Sequence, residues 1–163
     1  MHLMLLSDTH GFVDPRIVVH AERMDRVVHA GDIGAQHVIE QLRRATPHVV
    51  AVRGNNDVDA PLATLPEMNT LELPGGQLVV LHGDRILPAH TRHAELRKRF
   101  AHARAVFYGH THHAVIDQHA IPWILNAGAA GRVRTFGGPS YLEVTARAQG
   151  WSVRLHRLPP LPR

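Results

Sequence analysis

The sequence contains no cysteine, which removes disulfides, thiolate zinc sites and thiol nucleophiles together. A bound metal must therefore be held by nitrogen and oxygen donors. No apolar run approaches the roughly 18 residues that a membrane-spanning helix needs, so no membrane partner is expected. The opening MHLMLLSDTHG is only briefly apolar before it runs into Asp and His. It reads as a first buried strand and not as a secretory leader, and a cytoplasmic location is expected. Linkers, internal repeats and low-complexity stretches are also lacking. What is there is ordinary globular composition: 163 residues, 44% hydrophobic and 20% charged. That suffices for one domain with a real core, expected to span residues 1–163. The formal charge of +4 slightly favours anionic substrates and does not establish nucleic-acid binding.

The first half alternates strand and helix patterns. Apolar residues 2–7, the β-branched run 26–30 and residues 48–52 read as strands. Residues 15–24, with Pro15 suited to a first helical turn, and residues 35–44 read as helices. Such alternation predicts right-handed βαβ units with a parallel sheet. The second half changes character. Residues 69–73 and 77–81 flank the turn signal Pro74-Gly75-Gly76 and read as a hairpin. A helix over 89–103 and a strand over 105–108 follow. Short strands are then expected near 114–118, 121–125, 140–146 and 151–156, and the tail LPPLPR is expected to be loose. Parallel units followed by hairpins predict two sheets packed together with helices outside.

The polar residues fall where such a fold concentrates chemistry. Asp8-Thr9-His10 follows the first strand, Gly31-Asp32 the second and Gly54-Asn55-Asn56-Asp57 the third. The steps of 24 residues from Asp8 to Asp32 and 23 from Asp32 to Asn55 match one βα unit each. All three loops should open at one sheet edge, outside the strand carboxyl ends. Later, His82-Gly83 ends one strand and Gly109-His110-Thr111-His112 ends another. In extended chain His110 and His112 point to the same side. Two carboxylates, one amide and four imidazoles suit two divalent cations about 3.5–4 Å apart, with one carboxylate shared. Each piece alone is a common turn or cap, and it is their ordered recurrence at strand ends that points to a metal site.

In this order the motifs D-x-H, G-D, G-N-x-D, a lone H and G-H-x-H resemble the calcineurin-like metallophosphoesterases. The likeness is greatest to their small single-domain phosphodiesterases, which share the segment Val52 to Asp57. The resemblance implies a four-layer α/β/β/α sandwich of two mixed sheets flanked by helices, with the metal site at the strand carboxyl ends. It implies that Asp8, His10 and His112 hold one metal, that Asn55, His82 and His110 hold the other, and that Asp32 bridges them. Asp32, Asn55 and His110 would carry the catalytic role, and a hydroxide between the metals would be the nucleophile. Manganese is favoured, with iron, zinc or nickel as alternatives.

Departures from the pattern refine this. Asn56 stands where phosphomonoesterases of this group place an acid His, and Ala35 and Gln36 replace the Asp-Arg pair that orients it. A phosphodiesterase acting on a small phosphate ester is therefore expected, with Asn56 and Arg132 contacting substrate and His113 or Asp57 as any remaining proton source. Asp84 replaces a frequent second His, and Asn126-Ala127-Gly128 resembles the N-P-G-S turn with Pro and Ser replaced. Two alternatives stand beside this reading. One is a nuclease, suggested by Arg85, Arg92, Arg97, Lys98, Arg99 and Arg104, although no aromatics interleave with them and a solvated helix face is the plainer account. The other is a protein-binding scaffold of the retromer type. Homo-oligomerisation is compatible with all of them.

Overall fold

Pro15 and Asp14 show how local sequence sets the first helix: the Asp14 carboxylate accepts from the Arg16 N–H at 2.9 Å and Pro15 occupies the first turn. Residues 1–86 and 89–160 are described by the structure, a computed structural model. The chain runs β1 (His2–Leu6), α1 (Pro15–Ala21), β2 (Arg26–His29), α2 (Gln36–Ala45) and β3 (Val49–Ala51). It continues with β4 (Met68–Leu73), β5 (Gly76–Leu81), α3 (Arg92–Arg99) and β6 (Ala105–Tyr108). It then forms β7 (Ala114–Asp117), β8 (Trp123–Ala127), β9 (Ser140–Arg147) and β10 (Gly150–Arg157).

Two five-stranded sheets result, ordered β10-β9-β1-β2-β3 and β4-β5-β6-β8-β7. β1, β2 and β3 pair in parallel, as do β5, β6 and β8; β3 forms one edge of the first sheet, and antiparallel strands form the other three edges. Alternation along β1 shows the layering. Leu3 and Leu5 enter a core shared with Leu78, Val80, Phe107 and Leu125 of the second sheet. Met4 and Leu6 face the other way, onto Ile17 of α1 and Val38, Ile39 and Leu42 of α2. On the far side Val79, Val106 and Ile124 cover Leu96 and Phe100 beside α3. Helices, sheet, sheet and helix thus form the four layers that the strand pattern predicts. No helix among the described residues is long and apolar enough to cross a membrane.

Some boundaries differ from expectation. The helix expected over 89–103 is a 3-10 turn at Ala89–Thr91 followed by α3, which ends at Arg99. Phe100 leaves helical geometry (φ −118°, ψ 38°) and buries its ring against the second sheet. β8 begins at Trp123 because Pro122 has no N–H to give the ladder. The tail is held as far as it is described. The Leu158 N–H donates to the Pro139 carbonyl at 2.8 Å and the Arg16 guanidinium donates to that of Pro159 at 2.7 Å. Its last residues, 161–163, lie outside the described residues.

The shared core predicts a contrast. Phe107→Ala empties a fully buried position between the sheets and should cost about 3–5 kcal/mol, on the order of 10 °C in Tm. Val19→Ala, on the exposed side of α1, should stay within about 0.5 kcal/mol. Thermal and denaturant unfolding of both variants checks this.

Candidate metal centre

Backbone pairing does not stop where the strands stop. The Asp8 N–H donates to the Gly31 carbonyl (3.0 Å), the His10 N–H to that of Asp32 (3.0 Å) and the Gly11 N–H to that of Ile33 (2.7 Å). The loops after β1 and β2 are therefore zipped together, and side chains on them are placed as rigidly as on a strand. The loop after β3 joins through Asp57. Its buried carboxylate accepts the N–H groups of Ile33 (3.1 Å), Gly34 (2.8 Å) and Gly54 (2.8 Å). Close approach demands glycine here: a Cβ on Gly54 would lie 2.1 Å from Asp32 Oδ1, and Gly31 sits at φ +86° with its Cβ position 2.7 Å from the Gly54 nitrogen. On the second sheet, Asn126 braces the loop after β6 by donating to the Gly109 carbonyl at 2.8 Å and the Thr111 hydroxyl at 3.1 Å.

These loops bring all seven expected ligands into one cluster. Asp8, His10 and His112 form one group and Asp8, Asp32 and His82 another, each with donor atoms within 4.8 Å of one another. Within the first, His10 Nε2 lies 3.1 Å from His112 Nε2, which is 3.4 Å from Asp8 Oδ1. Around the second, His82 Nε2 is 3.3 Å from Asp32 Oδ1 and 3.1 Å from Asn55 Oδ1, and His110 Nδ1 is 3.2 Å from the same Asn55 oxygen. Asp8 is common to both groups, and Asp32 of the second also approaches the first, with Oδ2 3.9 Å from His10 Nε2. The imidazoles are oriented from behind. His82 Nδ1–H donates to the Ala30 carbonyl (2.8 Å) and His112 Nδ1–H to that of Val133 (3.1 Å), which turns each Nε2 lone pair inward.

The backbone holds these side chains in an uncommon conformation. Seven described non-glycine residues have positive φ: Asp8, His10, Asp32, His110, His112, Arg134 and Phe136. Five of them belong to the cluster. Such geometry costs about 1–3 kcal/mol per residue and persists where the surroundings enforce it.

Electrostatics follow from burial. Desolvation raises the Asp8 carboxyl to about 6, against hydrogen bonds from the Ser7 hydroxyl (2.6 Å) and the His110 N–H (3.2 Å). Asp32 goes the other way. Burial opposes its charge, but His82 and two hydrogen bonds from Asn56, through N–H (3.0 Å) and Nδ2 (2.6 Å), hold it well below the usual carboxylate range. Burial lowers His10, His110 and His112, which keeps their ring nitrogens available as donors to a cation. His82 is raised, because Asp32 and Asp8 outweigh its burial. His29 lies wholly buried behind the loops and is lowered to about 3 by desolvation. Its Nδ1 accepts from the Gly31 N–H at 3.2 Å, so Nε2–H donates to the Thr9 hydroxyl at 3.0 Å.

The remaining expected residues sit around the cluster. Asn56 sits beside Asp32 as its hydrogen-bond partner. Arg132 lies over the Phe12 ring, 3.9 Å from its centroid, and the arginine that reaches the cluster is Arg134, whose guanidinium donates to His112 Nε2 at 3.3 Å. Sequence reasoning missed Arg134. Its only signal is proximity to the Asn126-Ala127-Gly128 turn. Asp57 is occupied by three backbone N–H groups, and His113 stacks on Phe136. The basic residues near α3 do not form one solvated face. Arg92 is buried against Tyr108, Arg97 pairs with Asp117 (2.7 Å), Arg85 with Glu67 (2.8 Å), and Arg104 lies over Trp123. Lys98 and Arg99 remain exposed. A cleft of about 560 Å³ opens beside Asn55 and His82, lined among others by Leu81, Ile86, Arg53, Arg85, Arg99 and Asp84.

Known proteins share this fold. The sequence matches the calcineurin-like phosphoesterase superfamily domain over residues 1–149. No curated protein matches it. Wild-type Vps29 of Entamoeba histolytica, solved with zinc, superposes with a TM-score of 0.80 at 17% identity, over 98% of this chain and 99% of that one. A conserved protein of Streptococcus pneumoniae, described as a predicted phosphoesterase, gives 0.73 at 22%, over 96% and 88%. An archaeal phosphodiesterase gives 0.72 at 20%, over 96% and 100%. The fold implies divalent-metal binding, and the clustered donors are suited to it.

Burial of Asp8 yields a prediction with a definite sign. Its folded pKa lies above the unfolded value of 3.8, so protonation stabilises chelator-treated protein below about pH 4, and that stability is lost as pH rises through about 6. At pH 7.5, chelated Asp8→Asn should exceed chelated wild type in stability by up to about 3 kcal/mol. The difference should vanish near pH 4. Urea unfolding of both proteins across this range measures it, and a difference independent of pH would contradict the assignment.

Proposed function

The chain belongs to the calcineurin-like phosphoesterase superfamily, and on that premise we propose that it is a metal-dependent phosphodiesterase acting on small phosphate diesters. The observation that carries this reading is the convergence of two carboxylates, an amide oxygen and inward-turned imidazole nitrogens beside an open cleft. The donor set fits two divalent cations. Asp8, His10 and His112 would hold one, Asn55, His82 and His110 the other, and Asp32 would serve both. Nitrogen and oxygen donors of this kind suit manganese, iron, zinc or nickel, and manganese is our first choice. When bound, such ions supply a nucleophile from water at neutral pH and stabilise charge on the phosphoryl group.

The chain's own residues do the rest. Asp32 is kept ionised by His82 and Asn56, so its charge is ready to be shared. The zipped loops fix the donors before substrate arrives, which lowers the reorganisation that reaction demands. Arg134, whose guanidinium lies at the His112 end of the cluster, would be released from that nitrogen when a cation takes its lone pair and would then offer its charge to a phosphate oxygen. Neither residue after Asn55 is placed to protonate the leaving group: position 56 is an amide held by Asp32, and Asp57 is saturated by backbone N–H groups. Diesters whose leaving group departs as an anion are the substrates this suits.

A protein-binding scaffold is the competing reading, since Vps29 has the same fold. A metal alone does not separate the two, because that Vps29 was solved with zinc. The cleft beside Asn55 and His82 and the arginine at His112 favour catalysis. The nuclease reading rests on a smaller basic surface than the sequence suggests, because Arg92, Arg97 and Arg104 are engaged within the protein and Arg85, Lys98 and Arg99 remain exposed.

Metal analysis of the purified protein, with mono- and diesters assayed under each metal, tests the proposal. An aryl diester should be hydrolysed with metal and not after chelation, and Asp32→Asn should lower turnover on the order of 10³-fold. Alkyl diesters should be far slower. Asn56→His with Ala35→Asp should help the alkyl substrate more than the aryl one, within the roughly 10²–10⁴-fold that general acid catalysis contributes. A fully metal-loaded protein inactive on every ester would favour the scaffold.

A further inference from the structure

Positive φ marks two residues outside the ligand cluster, Arg134 (φ 51°) and Phe136 (φ 41°), both in the loop between β8 and β9. The other five non-glycine residues in that conformation are candidate metal ligands. A bulky residue adopts it only under local constraint, so this loop is shaped with the same insistence as the cluster it borders. Arg134 explains part of that shape, since its guanidinium reaches His112. Phe136 has no role in the core. It keeps 51% of its surface exposed, and its ring stacks on that of His113, with centroids 4.0 Å apart and planes inclined by 20°. His113 directly follows the ligand His112 and is itself exposed. Val133, on the other side of Arg134, is also 48% exposed.

The arrangement is a flat aromatic surface beside a guanidinium, at the rim of a site built for phosphate. A half-exposed stacked ring gains by covering its face with another planar ring. A phosphate held at Arg134 places its organic substituent near residues one or two positions away along the same loop. We propose that the His113–Phe136 stack receives a planar aromatic group of the substrate, so that the preferred diesters carry an aryl or nucleobase substituent. This deepens the phosphodiesterase reading and rests on it for the position of the phosphate.

The test measures binding separately from turnover. Affinities of phenyl phosphate, adenosine 5′-monophosphate and methyl phosphate are determined by calorimetry on the manganese-loaded protein. Stacking on an exposed aromatic should make at least one of the ring-bearing phosphates about 10-fold tighter than methyl phosphate. Phe136→Ala and Phe136→Leu should each remove that advantage while methyl phosphate changes less than twofold, and Phe136→Tyr should keep it. Loss for both ring-bearing ligands identifies a general aryl surface, and loss for the nucleotide alone identifies a nucleobase surface. Equal affinity of wild type for all three phosphates, or an advantage untouched by Phe136→Ala, would overturn the proposal. Equal affinities with diester turnover intact would overturn this inference alone. A ring preference without turnover on any diester would defeat the phosphodiesterase reading alone.

Discussion

Two carboxylates buried within one cluster are the constraint on which the structure turns. Asp8 and Asp32 repel one another and are both removed from water, and they respond in opposite ways: the first is pushed toward protonation, the second is held ionised by His82 and Asn56. Without a cation such a pair is costly to a fold. With cations the same burial becomes an asset, because charges in a dry site interact more strongly than in water. The loops that carry them are accordingly stiff. They extend the β1–β2 ladder beyond the strands, and Asp57 ties in the third loop.

The layers serve this arrangement. Each sheet contains three parallel strands, and the carboxyl ends of β1, β2, β3, β5 and β6 deliver Asp8, Asp32, Asn55, His82 and His110. The inter-sheet core, with Phe107 and Leu5 among its members, holds the two sets of ends in register. Strain concentrates where the site is: the described non-glycine residues with positive φ all lie in the ligand loops or the adjoining loop that presents Arg134 and Phe136. A fold that keeps such geometry spends stability on position, in keeping with a site whose donors must be set before the reaction begins.

Much of this was legible in the sequence, because repeating strand and helix patterns fix which loops share an edge. Asp8, Asp32 and Asn55 recur at βα spacing, and the hairpin around Pro74-Gly75 announced the second sheet. What was not legible depends on tertiary contact. Arg92 and Arg97 read as a solvated basic face, and their partners Tyr108 and Asp117 lie on strands beside the helix. Asp57 read as part of a chemical motif, whereas its carboxylate is consumed by amides 23 or 24 residues away in the neighbouring loop. Arg134 was hidden because an irregular Gly-rich loop has no period from which to tell its direction from that of Arg132.

The proposed function requires one cluster to hold two cations that share Asp32. Anomalous diffraction from crystals grown with manganese tests it most directly. Two peaks about 3.5–4 Å apart are expected, one among Asp8, His10 and His112, the other among Asn55, His82 and His110, with the Asp32 carboxylate between them. A single peak, or peaks away from Asp32, would contradict it.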